Sequence, residues 1–314
     1  MPEKLVIALG GNALQSKNAL PTAEAQLEMV RRTCKSIAAI REAGHQLALV
    51  HGNGPQVGRI LLALESAAAV VPPLPFDVCG AMSQGYIGYH LQQALREELE
   101  RRGSAIPVQT LLTQVQVDRE DPAFSAPSKP VGPFYEREEA ERLAQEKGYT
   151  MREDAGRGWR RVVPSPRPQG IVELDTIKKL WESAIPIACG GGGIPVAETP
   201  SGGLEGVAAV IDKDLAACLL AKELGADTLL ILTEVEKVAI RFGTPEQEDQ
   251  DRLTLQEAER YCKTGEFGAG SMLPKVEAAM DFASSAPGRR AIIASLDRAV
   301  DALEGRSGTL FTGE

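Results

Sequence analysis

Lys213 stands in Val210-Ile211-Asp212-Lys213-Asp214, between a strand-like run and a helix-like one. Lys275 follows Gly270-Ser271-Met272-Leu273-Pro274 at another helix start, and Lys129 sits among prolines. Phosphoryl transfer has an oxygen-rich transition state and demands little covalent chemistry of a protein. Backbone N–H groups, ammonium groups and Mg²⁺ suffice. On position alone each lysine is also compatible with a solvated surface. Asp214 is more specific: a carboxylate in the first turn of a helix can orient lysines and main-chain donors, the plain alternative being a favourable N-terminal helix charge.

Glycines mark where such lysines could meet an anion. Leu5-Val6-Ile7-Ala8-Leu9 runs into Gly10-Gly11-Asn12-Ala13, and Leu47-Ala48-Leu49-Val50 into His51-Gly52-Asn53-Gly54-Pro55. Ile185-Pro186-Ile187-Ala188-Cys189 runs into the glycines from Gly190 to Gly193. Glycine at the carboxyl end of a buried strand lets backbone approach a ligand, and the N–H groups beyond it suit an anion. Three such turns in one sheet predict an enclosed site for a phosphate-bearing or carboxylate-like ligand. Several familiar motifs are missing: G-x-x-x-x-G-K-[ST], H-E-x-x-H, G-x-S-x-G and H-R-D. The run from Gly52 to Gly58 is one residue too long for a dinucleotide fingerprint. His45, His51 and His90 lack zinc-ligand spacing and read as structural or solvent-facing, and Cys189 reads as a small core residue.

These residues need a frame. Thr22 is a plausible N-cap for a helix to about Ala43, where Leu27, Val30, Cys34, Ile37 and Ile40 recur at helical spacing and Gly44 can end it. A strand at 46–50 completes a β-α-β unit with parallel strands. The pattern continues with helices over 81–102, 175–184, 213–225 and 274–285 and strands at 105–110, 185–189, 228–232 and 291–294. This alternation predicts an α/β fold, a three-layer αβα sandwich around a mostly parallel sheet. Two stretches break the rhythm. Residues 112–168 are polar and rich in proline and charge, and they read as a small protruding inserted subdomain in which Phe124, Tyr149 and Trp159 could form a core. Residues 196–207 read as a hairpin with a glycine turn. The expected organisation is one domain over 1–314, with a small-substrate half at 1–200 and a nucleotide half at 201–314.

Composition narrows the partners. The chain has 314 residues, 43 acidic against 34 basic side chains and a net charge of −9, which speaks against a broad nucleic-acid-binding face. Apolar runs fall well short of the ~18 residues of a membrane span, and a strand begins almost at once, so neither a span nor a signal peptide is expected. The five cysteines are scattered without a C-x-x-C, as expected of free thiols in a reducing cytoplasm.

The segments Leu9 to Ala13, His51 to Gly58, Glu153 to Pro166, Cys189 to Pro195, Val210 to Asp214 and Pro274 to Ala279 together resemble the carbamate kinases, a branch of the amino-acid kinase superfamily. The likeness runs in family order from residue 4 onward; the stretch Gly156-Arg157-Gly158-Trp159 carries the narrower assignment. It implies exchange of ATP and carbamate with ADP and carbamoyl phosphate, with Mg²⁺ held mainly through nucleotide phosphates and no dedicated protein metal site. It implies net flow toward ATP in fermentative arginine or carbamoyl phosphate breakdown, and a homodimer. By this likeness Gly10, Gly11, Asn12, Gly52, Asn53 and Gly54 hold the small substrate. Lys213 and Lys275 neutralise the moving phosphate, Asp214 orients them, and Lys129 closes over the substrate. Gly191, Gly192, Thr233, Glu234, Val235, Val238, Met272 and Pro274 lie by the nucleotide. Glu234 and Glu236 depart from the superfamily pattern of a small residue or Asp and of Asp, which touches nucleoside contacts alone. The competing readings are another kinase of the superfamily, acting on acetylglutamate or a nucleoside monophosphate, and a non-catalytic nucleotide sensor.

Overall fold

In the computed structural model, residues 2–15, 22–154, 156–268 and 270–313 are described. β1 (Lys4–Leu9) passes through a 3₁₀ turn at Gly11–Ala13 toward α1 (Ala23–Glu42). Thr22 caps α1 as expected, its hydroxyl accepting from the Ala25 N–H at 3.2 Å. β2 (Gln46–His51) runs into α2 (Gly54–Ser66), a helix not anticipated from the sequence. Pro55 sits in its first turn, where a missing N–H costs nothing. α3 (Phe76–Arg101) begins at Phe76 rather than near Ala81. Gly80 reads locally as a boundary, but Phe76 is buried against Val131 and Val163 and so anchors an earlier turn.

Next come β3 (Val108–Thr110), β4 (Gln114–Gln116), β5 (Lys129–Tyr135), α4 (Arg137–Lys147), β6 (Met151–Glu153), β7 (Trp159–Val163) and β8 (Gly170–Ile171). α5 (Leu174–Trp181), β9 (Ile185–Ile187), β10 (Ile194–Glu198), β11 (Leu204–Gly206), α6 (Lys213–Glu223) and β12 (Thr228–Thr233) follow. The chain closes with β13 (Val238–Ile240), β14 (Glu248–Gln250), β15 (Arg252–Thr254), α7 (Leu255–Thr264), α8 (Leu273–Ala283), β16 (Arg290–Ser295), α9 (Ala299–Leu303) and β17 (Thr309–Thr312).

The main sheet has the order β15-β17-β16-β12-β1-β2-β9-β3. Its neighbours pair in parallel except β16 with β17. Alternate residues of each strand serve opposite faces. Val6, Ala8, Ala48, Val50, Leu229 and Ile231 pack with α5, α6 and α8. Leu5, Ile7, Leu9, Leu47, Leu49 and Leu230 pack with α1, α3 and α9. Both faces are therefore covered, which explains the near-continuous apolar strands, each large side chain contributing about 1.5–3 kcal/mol on burial. The result is the three-layer αβα arrangement expected from the alternation. In the parallel part of the sheet, β1, β2, β9 and β12 all end at one edge, and the glycine turns after β1, β2 and β9 gather there.

The irregular stretch 112–168 divides between two sheets. β4 joins the four-stranded sheet β11-β10-β4-β8, which contains the expected hairpin β10–β11. β5, β7 and β6 form a separate antiparallel sheet beside α4. Its apolar seam is shared rather than private: Val131 and Val163 pack on Phe76, with Leu61 and Val210 beside them. Gly58 of α2 allows this approach, since a Cβ there would lie 3.1 Å from Gly132 Cα. The three aromatics proposed as a private core do not form one. Phe124 packs against the main core, and Tyr149 donates to Glu65 of α2 at 2.6 Å with Arg161 over its ring. Trp159 is half-buried in the β5–β7 ladder. Among the described residues, no helix is long and apolar enough to cross a membrane.

Candidate active site

Asp212 caps α6 by accepting from the Asp214 N–H at 2.9 Å. Lys213 and Asp214 thus occupy the first helical turn, where backbone donors and the helix dipole favour negative charge on a ligand. Asp214 is buried and holds two ammonium groups: Lys213 on Oδ1, and Lys275, from the first turn of α8, on Oδ2 at 3.0 Å. Lys275 also donates to the Ser271 carbonyl at 3.2 Å. Lys129, from β5, donates to Asp212 at 2.6 Å. Three ammoniums thus meet two carboxylates, and the cluster keeps one net positive charge for an anion.

The protonation pattern follows from burial. Loss of water lowers the Lys213 pKa, the Lys275 charge adds to this, and Asp214 opposes it. Burial also works against the charge on Lys275, but Asp214 outweighs it and the pKa rises. Burial would raise the Asp212 pKa, yet the ammoniums of Lys129 and Lys213 hold it well below the usual carboxylate range. Among the described residues, no group of three or more His, Cys, Asp or Glu side chains could hold a metal ion.

The cluster opens onto a cavity of about 1080 Å³ lined by Gly10, Gly11, Lys213, Lys275 and Arg160, among others. Gly10 donates to the Leu232 carbonyl at 3.0 Å, joining the ends of β1 and β12. At Gly11 a Cβ would meet nothing within 4 Å, so this residue faces open space. Gly52 supports Lys213 from beneath, since a Cβ there would lie 3.2 Å from Lys213 Cδ. Its neighbour His51 is fully buried, donates through Nδ1 to the Gly52 carbonyl at 2.8 Å, and has its pKa pushed down to about 4 by burial.

Of the residues assigned to the nucleotide, Thr233, Glu234, Val235 and Met272 line this cavity. Val238 is fully buried, Pro274 opens the turn that presents Lys275, and neither lines the cavity. Gly191 and Gly192 are buried behind the site, where a Cβ would come within 2.2 Å of Asn53 Nδ2 and 2.1 Å of the Ile211 carbonyl oxygen. Both adopt positive φ, 69° and 96°. Their service is to let the third turn pass beneath Asn53. Asn53 is itself buried and donates to Ser83 at 2.8 Å, and Gly54 begins α2. Asn12 lies in the 3₁₀ turn after β1; its side chain lies outside the described residues.

The sequence reading missed Phe242, Phe267 and Ala239, which give the cavity apolar surface, and the cation Arg160, which also lines it. Phe242 is 68% exposed at the cavity rim, an unusual position for phenylalanine in a chain with 4% aromatics. A signal existed for Arg160, which lies directly after the Gly-Arg-Gly-Trp stretch.

The sequence profile of the Amino acid kinase family matches residues 3–295. A carbamate kinase of Pyrococcus horikoshii is 53% identical, covering 99% of this chain and 100% of that protein. A carbamate kinase of Clostridium perfringens is 55% identical, covering 98% of both. Among solved structures, a carbamate kinase from Giardia lamblia bound to AMP-PNP superposes with a TM-score of 0.91 at 45% identity, covering 99% of this chain and 98% of that one. The chain belongs to the amino acid kinase family, whose mixed, mostly parallel sheet it carries. Within that family it falls among the carbamate kinases, and it is a phosphotransferase.

Proposed function

We propose that this chain transfers a phosphoryl group reversibly between ATP and carbamate, running toward ATP from carbamoyl phosphate and ADP in the breakdown of arginine or carbamoyl phosphate. One observation carries the reading: a buried carboxylate, Asp214, holds Lys213 and Lys275 together where both line a cavity floored by Gly10 and Gly11. Carbamate already carries a negative oxygen, so no general base is required. The protein's work is to align two anions and offset their charge. Lys213 and Lys275 neutralise the phosphoryl group in flight, and Asp214 fixes them. Gly10, Gly11, Asn12, Gly52, Asn53 and Gly54 form the small-substrate side, and Lys129 closes over it. The nucleoside lies toward Thr233, Glu234, Val235 and Met272, with Phe242 and Phe267 supplying apolar surface.

Mg²⁺ fits this arrangement as a companion of the nucleotide. Asp212 and Asp214 are engaged by lysines, so the phosphates would be the main ligands of the ion, which when bound supplies positive charge across them. The polypeptide forms one domain across 1–314, with small-substrate and nucleotide halves meeting near residue 200 and a protruding subdomain within 112–168. It works in the cytoplasm, a reading supported by five free cysteines. It acts on small molecules as a homodimer. Val78, Met82 and Tyr89, exposed along one face of α3, support that pairing.

The test is ATP formation from ADP and carbamoyl phosphate, with acetylglutamate and UMP offered separately alongside ATP. Turnover confined to the carbamoyl phosphate and carbamate pair is expected. Phosphorylation of acetylglutamate or UMP instead would overturn the assignment, and no turnover with any of them would leave a nucleotide sensor.

A further inference from the structure

The insert contributes two cations toward the site, and only one lines the cavity. Lys129 spends its charge on Asp212 at 2.6 Å and is not a lining residue. Arg160, from β7, lines the cavity together with Lys213, Lys275, Gly10 and Gly11. Its guanidinium is fixed on three sides. One terminal nitrogen donates to the Gly132 carbonyl at 3.0 Å. The other meets Asp154 at 3.3 Å. The Phe134 ring lies 5.1 Å from its central carbon. Its Nε–H is buried and has no partner among the described residues.

Asp154 itself is held by two guanidiniums, Arg157 at 2.9 Å and Arg160. Burial works against its charge, but the two arginines keep its carboxyl below the usual range. One carboxylate between two arginines leaves a net positive charge on this wall of the cavity. An arginine so clamped loses little further freedom on meeting an anion, and its planar donors match a carboxylate or phosphate.

We infer that Arg160 is a further substrate-binding residue of the reaction, a contact from the insert to the carbamate or carbamoyl phosphate anion in addition to Lys129, and that Asp154 is its positioning residue. This rests on the proposed function above and deepens it. The insert then selects for a small, compact anion, because Arg160 is tied to Gly132 and Asp154 and cannot retreat to admit a longer acceptor.

Wild type, Arg160→Met, Arg160→Lys and Asp154→Asn are compared by steady-state kinetics with ADP and carbamoyl phosphate varied independently. Loss of one charge-assisted contact corresponds to about 10- to 100-fold in binding. Arg160→Met should raise the KM for carbamoyl phosphate by that factor while the KM for ADP changes less than about threefold. Arg160→Lys should recover only part of the loss, since an ammonium cannot hold Gly132, Asp154 and the substrate together. Asp154→Asn should show the same selective change, smaller in size. Added ethylguanidinium should partly restore Arg160→Met, which a merely structural role would not allow. An unchanged KM for carbamoyl phosphate, or equal losses for both substrates without guanidinium rescue, overturns the inference. If wild type itself makes no ATP from carbamoyl phosphate, the functional reading fails first and this inference falls with it.

Discussion

On one wall of the cavity Lys213, Asp214 and Lys275 rise from the first turns of α6 and α8, two helices seated on a fully buried sheet face. On the insert wall Arg160 of β7 lines the same cavity and Lys129 of β5 turns to Asp212, both in a three-stranded sheet whose apolar seam is a handful of side chains. The first wall shares one buried carboxylate between two ammoniums. The second relies on Arg157 and Arg160 around Asp154, a partly exposed group. Under the proposed function this contrast is a division of labour: the sheet wall would hold charge in fixed geometry against the reacting phosphate, while the insert wall would read the small substrate.

The sharpest way to break this comparison is to remove charge from the sheet wall. Lys213→Ala should lower kcat by about 10²–10³-fold, the effect of losing one transition-state donor, with the far-ultraviolet circular dichroism unchanged. A kcat near wild type would move the phosphate elsewhere. Asp214→Asn leaves two ammoniums side by side without their shared partner. It should cost about 3 kcal/mol of stability by urea unfolding, as when a buried pair loses one member, along with most turnover. A stable, active Asp214→Asn protein would mean that the lysines orient themselves.

A third expectation concerns acid. His51 is neutral in the folded chain because burial holds its pKa at about 4, whereas unfolded histidine takes a proton below its ordinary 6.5. The unfolded state therefore binds more protons between those values. Stability from this group is complete above pH 6.5, falls as pH drops, and levels off below about 4, a loss of about 3 kcal/mol. Urea midpoints across that window should show the slope in wild type and lose most of it in His51→Gln. An equal slope in both would assign it to other groups.

On the insert wall the effects should be smaller and local. Lys129→Ala should raise the KM for carbamoyl phosphate more than that for ADP, and equal changes would place Lys129 outside substrate closure. Val163→Ala should cost about 1–2 kcal/mol, for a small apolar group removed from a buried position. Hydrogen exchange should quicken over 129–163 before it does in β1, β2 and β12. Uniform quickening would show the two walls to be one cooperative unit.

The sheet wall was legible in the sequence because its signals are local. Five apolar residues and two glycines predict β1 and its turn without knowledge of any neighbour, and Asp212-Lys213-Asp214 announces a capped helix bearing charge. The insert wall was not. Arg160 is one arginine among several in a charged stretch, and its function depends on what Gly132, Phe134 and Asp154 do around it. α2 was missed because a Gly-Asn-Gly-Pro turn conceals a helix start, and Phe242 because periodicity does not explain a solvent-facing aromatic at a cavity rim.

Gly191 and Gly192 state the boundary most plainly. Sequence placed them in a turn of the site by virtue of being glycines, and their positive φ accords with that. That Asn53 and the Ile211 carbonyl, rather than a ligand, leave no room for a Cβ is a matter of packing. Composition, strand periodicity, caps and glycine turns determined the layers, the sheet edge and the charge available there, because each depends on neighbours a few residues away in the chain. Which cations meet the cavity and which are spent on carboxylates was decided only by tertiary structure, because the partners lie far apart in the chain, 83 positions for Lys129 and Asp212, and burial sets the strength of every such pair.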